Sequence, residues 1–139
     1  MKRIRVAGII PYNDGYMFMH RIKSDSEYYT FVGGGKEENE TNEEGCIREI
    51  EEEIGVKVEV IKELYFLEKE SMNEYFYLCK YIEGNFGTGT GPEFNNDPEY
   101  IKDGKYIPEI IKTKDIKKIN LMPPEIAKQF INDIENNVF

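Results

Sequence analysis

Nine glutamates fall between Gly34 and Val56, a segment of 23 residues that holds one lysine and one arginine. Three of them, Glu49, Glu52 and Glu53, are related by spacings of three and four, so on a helix their side chains meet on one face. Like charges so placed cost roughly a few tenths of a kcal/mol per pair on an exposed helix, and more when partly buried. Arg48 lies four residues after Glu44 and four before Glu52 and relieves part of that repulsion. Glu51 points elsewhere and reads as solvated. A divalent cation among the three carboxylates makes sense of the cluster. Hard oxygen ligands suit Mg²⁺ or Mn²⁺, and Mg²⁺ typically pairs a few carboxylates with substrate phosphates. Just upstream, Gly33, Gly34 and Gly35 let backbone pass close to a ligand and aim carbonyl or N–H groups at it. A bound metal reverses the local sign of charge and so lets an acidic protein hold a polyphosphate.

These residues must be held by regular elements. Thr41 and Glu44 fit a capping box. The helix they start is expected to run to about Ile54, with Gly55 as its left-handed terminator and an apolar stripe of Cys46, Ile47, Ile50 and Ile54. Before it, Arg3–Tyr12 reads as a strand entering a hairpin at Asn13-Asp14-Gly15, Tyr16–Ile22 as the returning strand, and Glu27–Val32 as a short strand ended by the glycines. After it, Val56–Glu70 alternates as a strand, a turn is expected at Ser71-Met72-Asn73, and Glu74–Ile82 reads as the next strand. The composition then shifts to a loop from Gly84 to Gly104, a length that is usually functional or disordered. Lys105–Ile111 reads as an edge strand because of Pro108. Pro124 opens a closing helix with Ile126, Phe130 and Ile134 on one face. The order β-β-β-α-β-β-loop-β-α defines a mixed α/β domain with helices packed on a sheet.

The whole chain sets bounds. Its 139 residues make one domain, residues 1–139, without internal repeats, and 40% hydrophobic residues suffice for a core. A net charge of −9 argues against nucleic acid polymers and anionic membranes as partners. No stretch approaches the ~18–20 apolar residues of a transmembrane helix. The apolar run near the N-terminus is too short for a signal peptide, and Cys46 and Cys79 read as buried free thiols, so a cytoplasmic location is expected.

Gly34, Glu40, Arg48-Glu49-Ile50, Glu52-Glu53 and Gly55-Val56 together match the Nudix box, Gly-x5-Glu-x7-Arg-Glu-U-x-Glu-Glu-x-Gly-U, where U is aliphatic. All nine defined positions are filled in the 23-residue frame, and the surrounding strand order extends the resemblance to most of the chain. The resemblance implies an α/β/α sandwich, with the box as a loop-helix-loop beside a mixed sheet. It implies Mg²⁺- or Mn²⁺-dependent hydrolysis of a nucleoside diphosphate linked to another moiety. By position, Glu49, Glu52 and Glu53 are implied metal ligands, joined by the Gly33 carbonyl. Arg48 is implied to orient a glutamate, and Glu40 to support the site from its edge. Glu49 is one candidate base. Some relatives keep that role on a glutamate in a later loop, where this chain has Lys105; Glu93, and after it Glu99, are candidate substitutes on the long loop, with a solvated surface role as the alternative for each. The family usually has proline before the glycines, where this chain has Val32.

Several other residues complete the expectation. Arg21 is assigned to a substrate phosphate, and Gly34 and Gly35 to backbone contact with substrate. Tyr28, Tyr29 and Phe31 are placed to stack a nucleobase or else to divide between core and surface. His20 reads as a satisfied structural histidine. Gly87–Gly91 lacks the lysine and Ser/Thr of a P-loop and reads as a lid hinge. One histidine and no nucleophile motif leave no Ser-His-Asp hydrolase to build. The expected partner is a small nucleotide-type molecule, and a homodimer is left open. A nucleotide sensor on the same fold, binding without turnover, is the alternative that the missing late glutamate raises.

Overall fold

The computed structural model describes residues 2–88 and 104–139. Their elements run β1 (Arg3–Ile9), β2 (Pro11–Tyr12), β3 (Gly15–Ile22), β4 (Glu27–Gly35), α1 (Asn42–Ile54), β5 (Val56–Glu68), β6 (Met72–Gly84), β7 (Lys105–Lys112), a 3-10 turn at Thr113–Lys118, β8 (Leu121–Met122) and α2 (Pro124–Glu135). Neighbouring strands follow the order β2-β3-β4-β1-β6-β5, with β7 on β3 and β8 on β4. The sheet is mixed, because β1 runs antiparallel to β4 and parallel to β6.

Alternation along β1 and β6 divides the core in two. Val6 and Cys79 join Val32, Ile50 and Ile54 on the side covered by α1. Ala7, Phe76 and Leu78 join Phe18, Phe31, Ile126 and Phe130 on the side covered by α2. Phe130 meets Tyr16, Phe18 and Phe31 edge-on, with centroids 5.0–6.3 Å apart. Such pairs add to the area they bury. The layers are therefore helix, sheet, helix, and the expected stripes of both helices face the core, with Ile47 and Ile134 only partly buried at their edges. Cys46 and Cys79 are buried free thiols. No helix among the described residues is long and apolar enough to cross a membrane.

Besides shifts of one or two residues at other strand ends, the boundaries differ from the sequence reading in three places. The first expected strand breaks at Ile10, and its end pairs separately with β3 through Pro11 and Tyr12. The β5–β6 turn falls at residues 69–71, closed by the Lys69 N–H donating to the Met72 carbonyl at 2.9 Å, so Met72 and Asn73 belong to β6. The glycines do not end β4. They continue it, with Gly33 opposite Ala7, Gly34 opposite Val6 and Gly35 opposite Arg5. Local signals mark three glycines as a turn, but pairing with β1 keeps them extended.

Candidate active site

Helix α1 is anchored at both ends by the residues its sequence supplies. The Thr41 N–H donates to Glu44 Oε1 at 2.8 Å, and the Glu44 N–H donates to Thr41 Oγ1 at 3.1 Å. At the other end Gly55 takes φ 79° and donates its N–H to the Glu51 carbonyl. Residues with a Cβ resist that conformation. With both ends fixed and Cys46, Ile50 and Ile54 buried, the helix presents Arg48, Glu49 and Glu53 toward the glycine end of β4.

Arg48 organises this face. It donates to Glu40 through Nε and Nη2, at 3.0 Å to Oε2 and 2.7 Å to Oε1, and through Nη1 to Glu49 Oε1 at 3.0 Å and Glu52 Oε2 at 3.2 Å. Its Nη2 also reaches the Gly35 carbonyl at 3.1 Å. Glu44, bound in the cap, is not among its partners. The Arg48 hydrogen bonds hold the Glu40 carboxyl at a pKa of about 2, helped by the Glu37 N–H. Glu40 in return keeps the guanidinium charged. Glu49 differs: burial pushes its carboxyl above the ordinary carboxylate value, against the opposing pull of Arg48. A Cβ on Gly34 would stand 2.3 Å from Glu49 Oε2, so glycine there makes room for this carboxylate.

Beside these residues opens a cleft of about 570 Å³, bordered by Gly33, Gly34, Gly35, Glu49, Glu53 and Arg21 among others. Ala7, Phe31 and Phe76 supply apolar surface, and Arg5, Lys69 and Glu74 add a second group of charges. Arg21 stacks its guanidinium 4.4 Å from the Tyr106 ring centroid and 5.9 Å from that of Tyr28. Its buried Nε has no hydrogen bond among the described residues.

The structure thus brings Glu49, Glu53, Arg21, Gly33, Gly34 and Gly35 to one cleft, with Arg48 and Glu40 behind them. Glu52 does not border this cleft; it is half-exposed and turned to Arg48. Tyr29 does not border it either. Its ring stacks on His20 with centroids 4.1 Å apart, and burial with a Glu109 hydrogen bond raises its hydroxyl pKa to about 12. His20 is itself engaged, with Glu27 2.6 Å from Nε2 and Glu109 2.7 Å from Nδ1. Of the three aromatics, Phe31 is the one on the cleft. Glu93 and Glu99 lie outside the described residues. Sequence reading missed Arg5, Lys69 and Glu74. The signal for Glu74 was available, since it alternates in register with Phe76 and Leu78 and so falls on an apolar face.

The donor set suits a hard cation. Glu49 and Glu53 stand one turn apart on the cleft wall beside the Gly33 backbone, and Mg²⁺ takes one or two carboxylates plus substrate oxygens. Among the described residues no three or more His, Cys, Asp or Glu side chains are gathered so as to hold a metal ion, and the expected trio of Glu49, Glu52 and Glu53 does not converge.

A mixed sheet between two helices, with a capped glutamate helix against a glycine strand, defines a class that the comparisons identify. The NUDIX domain family model matches residues 2–125, and the chain belongs to the Nudix hydrolase family. A MutT structure described for Aliivibrio salmonicida and Vibrio cholerae is 22% identical with a TM-score of 0.74, covering 96% of this chain and 99% of that one. An ADP-ribose pyrophosphatase from Streptococcus suis is 15% identical with a TM-score of 0.62, covering 88% and 81%. A UDP-X diphosphatase is 16% identical with a TM-score of 0.67, covering all of this chain and 65% of that one. At these identities the likeness is one of fold. No curated protein matches the chain in sequence.

Proposed function

We propose that the protein is a Mg²⁺- or Mn²⁺-dependent pyrophosphohydrolase that cleaves the diphosphate linkage of a nucleoside diphosphate derivative. Nucleoside triphosphates, nucleotide sugars and dinucleoside polyphosphates all carry that linkage. The observation that carries the reading is the placement of Glu49 and Glu53 on one cleft beside Gly33–Gly35, with Arg48 holding Glu49 from behind.

Glu49, Glu53 and the Gly33 carbonyl would hold the ion, with Glu52 at the margin. A divalent ion there supplies charge neutralisation for the diphosphate and makes water a better nucleophile. Glu49, on the cleft wall, is the candidate proton acceptor. As the water oxygen bonds to phosphorus, the water proton passes to Glu49 and the anhydride P–O bond breaks toward the departing phosphate. Arg48 fixes the Glu49 carboxylate by a charge-assisted hydrogen bond. Arg21, stacked on Tyr106, offers its guanidinium to a substrate phosphate.

A panel of the three substrate classes, assayed with Mg²⁺ or Mn²⁺ and with product identification, tests this directly. A nucleoside monophosphate or pyrophosphate is the expected product. Glu53→Gln is expected to lower the rate by about a thousandfold with the circular dichroism spectrum unchanged. An unchanged rate in that variant rejects the site. Nucleotide binding by the wild type without any product after long incubation supports a sensor instead.

A further inference from the structure

The second group of charges on the cleft, Arg5, Lys69 and Glu74, has no part in the Nudix box. Glu74 is an anion in an apolar setting, its side chain 7% exposed, and the parallel register of β1 with β6 sets it directly beside Arg5. The Arg5 Nε lies 3.7 Å from Oε1, and the Lys69 Nζ, carried on the β5–β6 turn, lies 3.2 Å from Oε2. Neither contact is a well-formed hydrogen bond. The first is too long, and Oε2 is fully buried without a hydrogen-bond partner among the described residues. Charge alone therefore holds the group together. Two cations share this one carboxylate, Arg5 also lying within electrostatic reach of Glu49, and the cations are the accessible part of the group, with side chains 32% and 45% exposed. The Arg5 guanidinium makes no hydrogen bond among the described residues that would compete for its donors.

We propose that Arg5 and Lys69 form an anion-binding wall for a phosphoryl group of the substrate that the α1 carboxylates do not hold, and that Glu74 is the positioning residue beneath them. This rests on the reading of the cleft as a phosphoric-anhydride site. In a chain of net charge −9, such a wall supplies on the sheet the positive field that a polyphosphate needs. Arg5 presents a planar fork of donors to phosphate oxygens, and Lys69 a compact charge. Glu74 fixes where both stand without touching substrate.

Lys69→Met is the deciding variant, because the side chain is half-exposed and its loss leaves the core intact. A charge-assisted hydrogen bond to phosphate predicts that KM for a hydrolysed panel substrate rises roughly tenfold or more. kcat stays within about twofold, the rise in KM with salt becomes shallower, and Lys69→Arg recovers most of the loss. Arg5→Met behaves alike. Glu74→Gln, where its melting curve shows it folded, raises KM in the same direction. A KM unchanged in both Lys69→Met and Arg5→Met overturns the proposal, as does a fall confined to kcat or a failure of Lys69→Arg to rescue. Calorimetric titration with inorganic pyrophosphate and Mg²⁺ separates this outcome from failure of the hydrolase reading. Equal affinities of wild type and Lys69→Met overturn the wall whether or not any nucleotide is hydrolysed. A roughly tenfold loss of affinity supports it even if no panel substrate is turned over.

Discussion

Two charge clusters border the same cleft, and each inverts the other. On α1 a single guanidinium, Arg48, serves Glu40, Glu49 and Glu52. On the sheet a single carboxylate, Glu74, serves Arg5 and Lys69. Their construction differs as much as their sign. The helix cluster is joined by well-formed hydrogen bonds of 2.7–3.2 Å to Arg48, which makes it rigid and directional. The sheet cluster is held by charge, and its cations keep donors to spare. Rigid geometry is what a proton transfer and an ordered ion site require. A loosely held pair of cations is instead suited to gripping an anion that arrives with the substrate. A polyphosphate in this cleft would thus meet fixed carboxylates from the helix and adjustable cations from the sheet.

The rigidity of the helix side can be broken at the glycines. An alanine Cβ at position 34 would lie 2.3 Å from Glu49 Oε2, whereas at position 35 the nearest atom is 4.0 Å away, on Arg3. Because the obstructing atom at position 34 ends a flexible side chain, Gly34→Ala is expected to displace Glu49 and not the backbone. Turnover should then fall about a hundredfold, as misplacements near 1 Å can produce, while the melting temperature changes little. Gly35→Ala should leave both nearly unchanged. Equal rates for the two variants would show that Glu49 does not need its present position.

The contrast also separates what could be read from the sequence from what could not. Arg48, Glu49, Glu52 and Glu53 are neighbours on one helix, so spacing alone puts them together. Thr41 and Glu44 announce where that helix starts, and Gly55 where it ends. Glu40 was assigned to the site edge by resemblance, and its contact with Arg48 is a loop closing on the helix it precedes. All of this is short-range information. Arg5, Lys69 and Glu74 meet only because β1 pairs in parallel with β6 and the β5–β6 turn closes at residues 69–71. Nothing local to any of the three specifies that register. The same holds for Tyr29, whose alternation could not reveal that His20 on β3 would lie across from it and stack on its ring. Gly33–Gly35 misled for a related reason, since the propensity of glycine for turns gave way to pairing with β1.

Stability offers a smaller but cleaner separation of the two clusters. Arg48→Gln leaves Glu40 and Glu49, both largely buried, without their cation. Removing one partner of a buried pair strands the other charge, which here is expected to cost about 2–3 kcal/mol. In a domain of this size that lowers the melting temperature by roughly 6–10 °C. Lys69→Met also takes a cation from a buried carboxylate, but Arg5 remains beside Glu74, so the cost should be smaller, about 1 kcal/mol. Similar losses in the two variants would mean that the clusters differ in sign but not in rigidity.

Acid titration isolates one bond within the helix cluster. Hydrogen bonds from Arg48 hold Glu40 at a pKa of about 2 in the folded chain, against an ordinary value of 4.5. The folded value is the lower one, so the folded state resists protonation at this carboxyl and the unfolded state takes up the proton first. The Glu40 contribution to stability is therefore fully present above about pH 4.5 and fades as pH falls toward about 2. Denaturant unfolding of wild type and Glu40→Gln across pH 6 to pH 2 should show a stability gap at the upper end that closes through this window. Other carboxylates titrate in both proteins and cancel in the difference. A gap that stays constant down to pH 2 would mean that Glu40 contributes by packing beneath α1, where a Cβ on Gly45 would come within 2.9 Å of its Oε1, and not through its charge on Arg48.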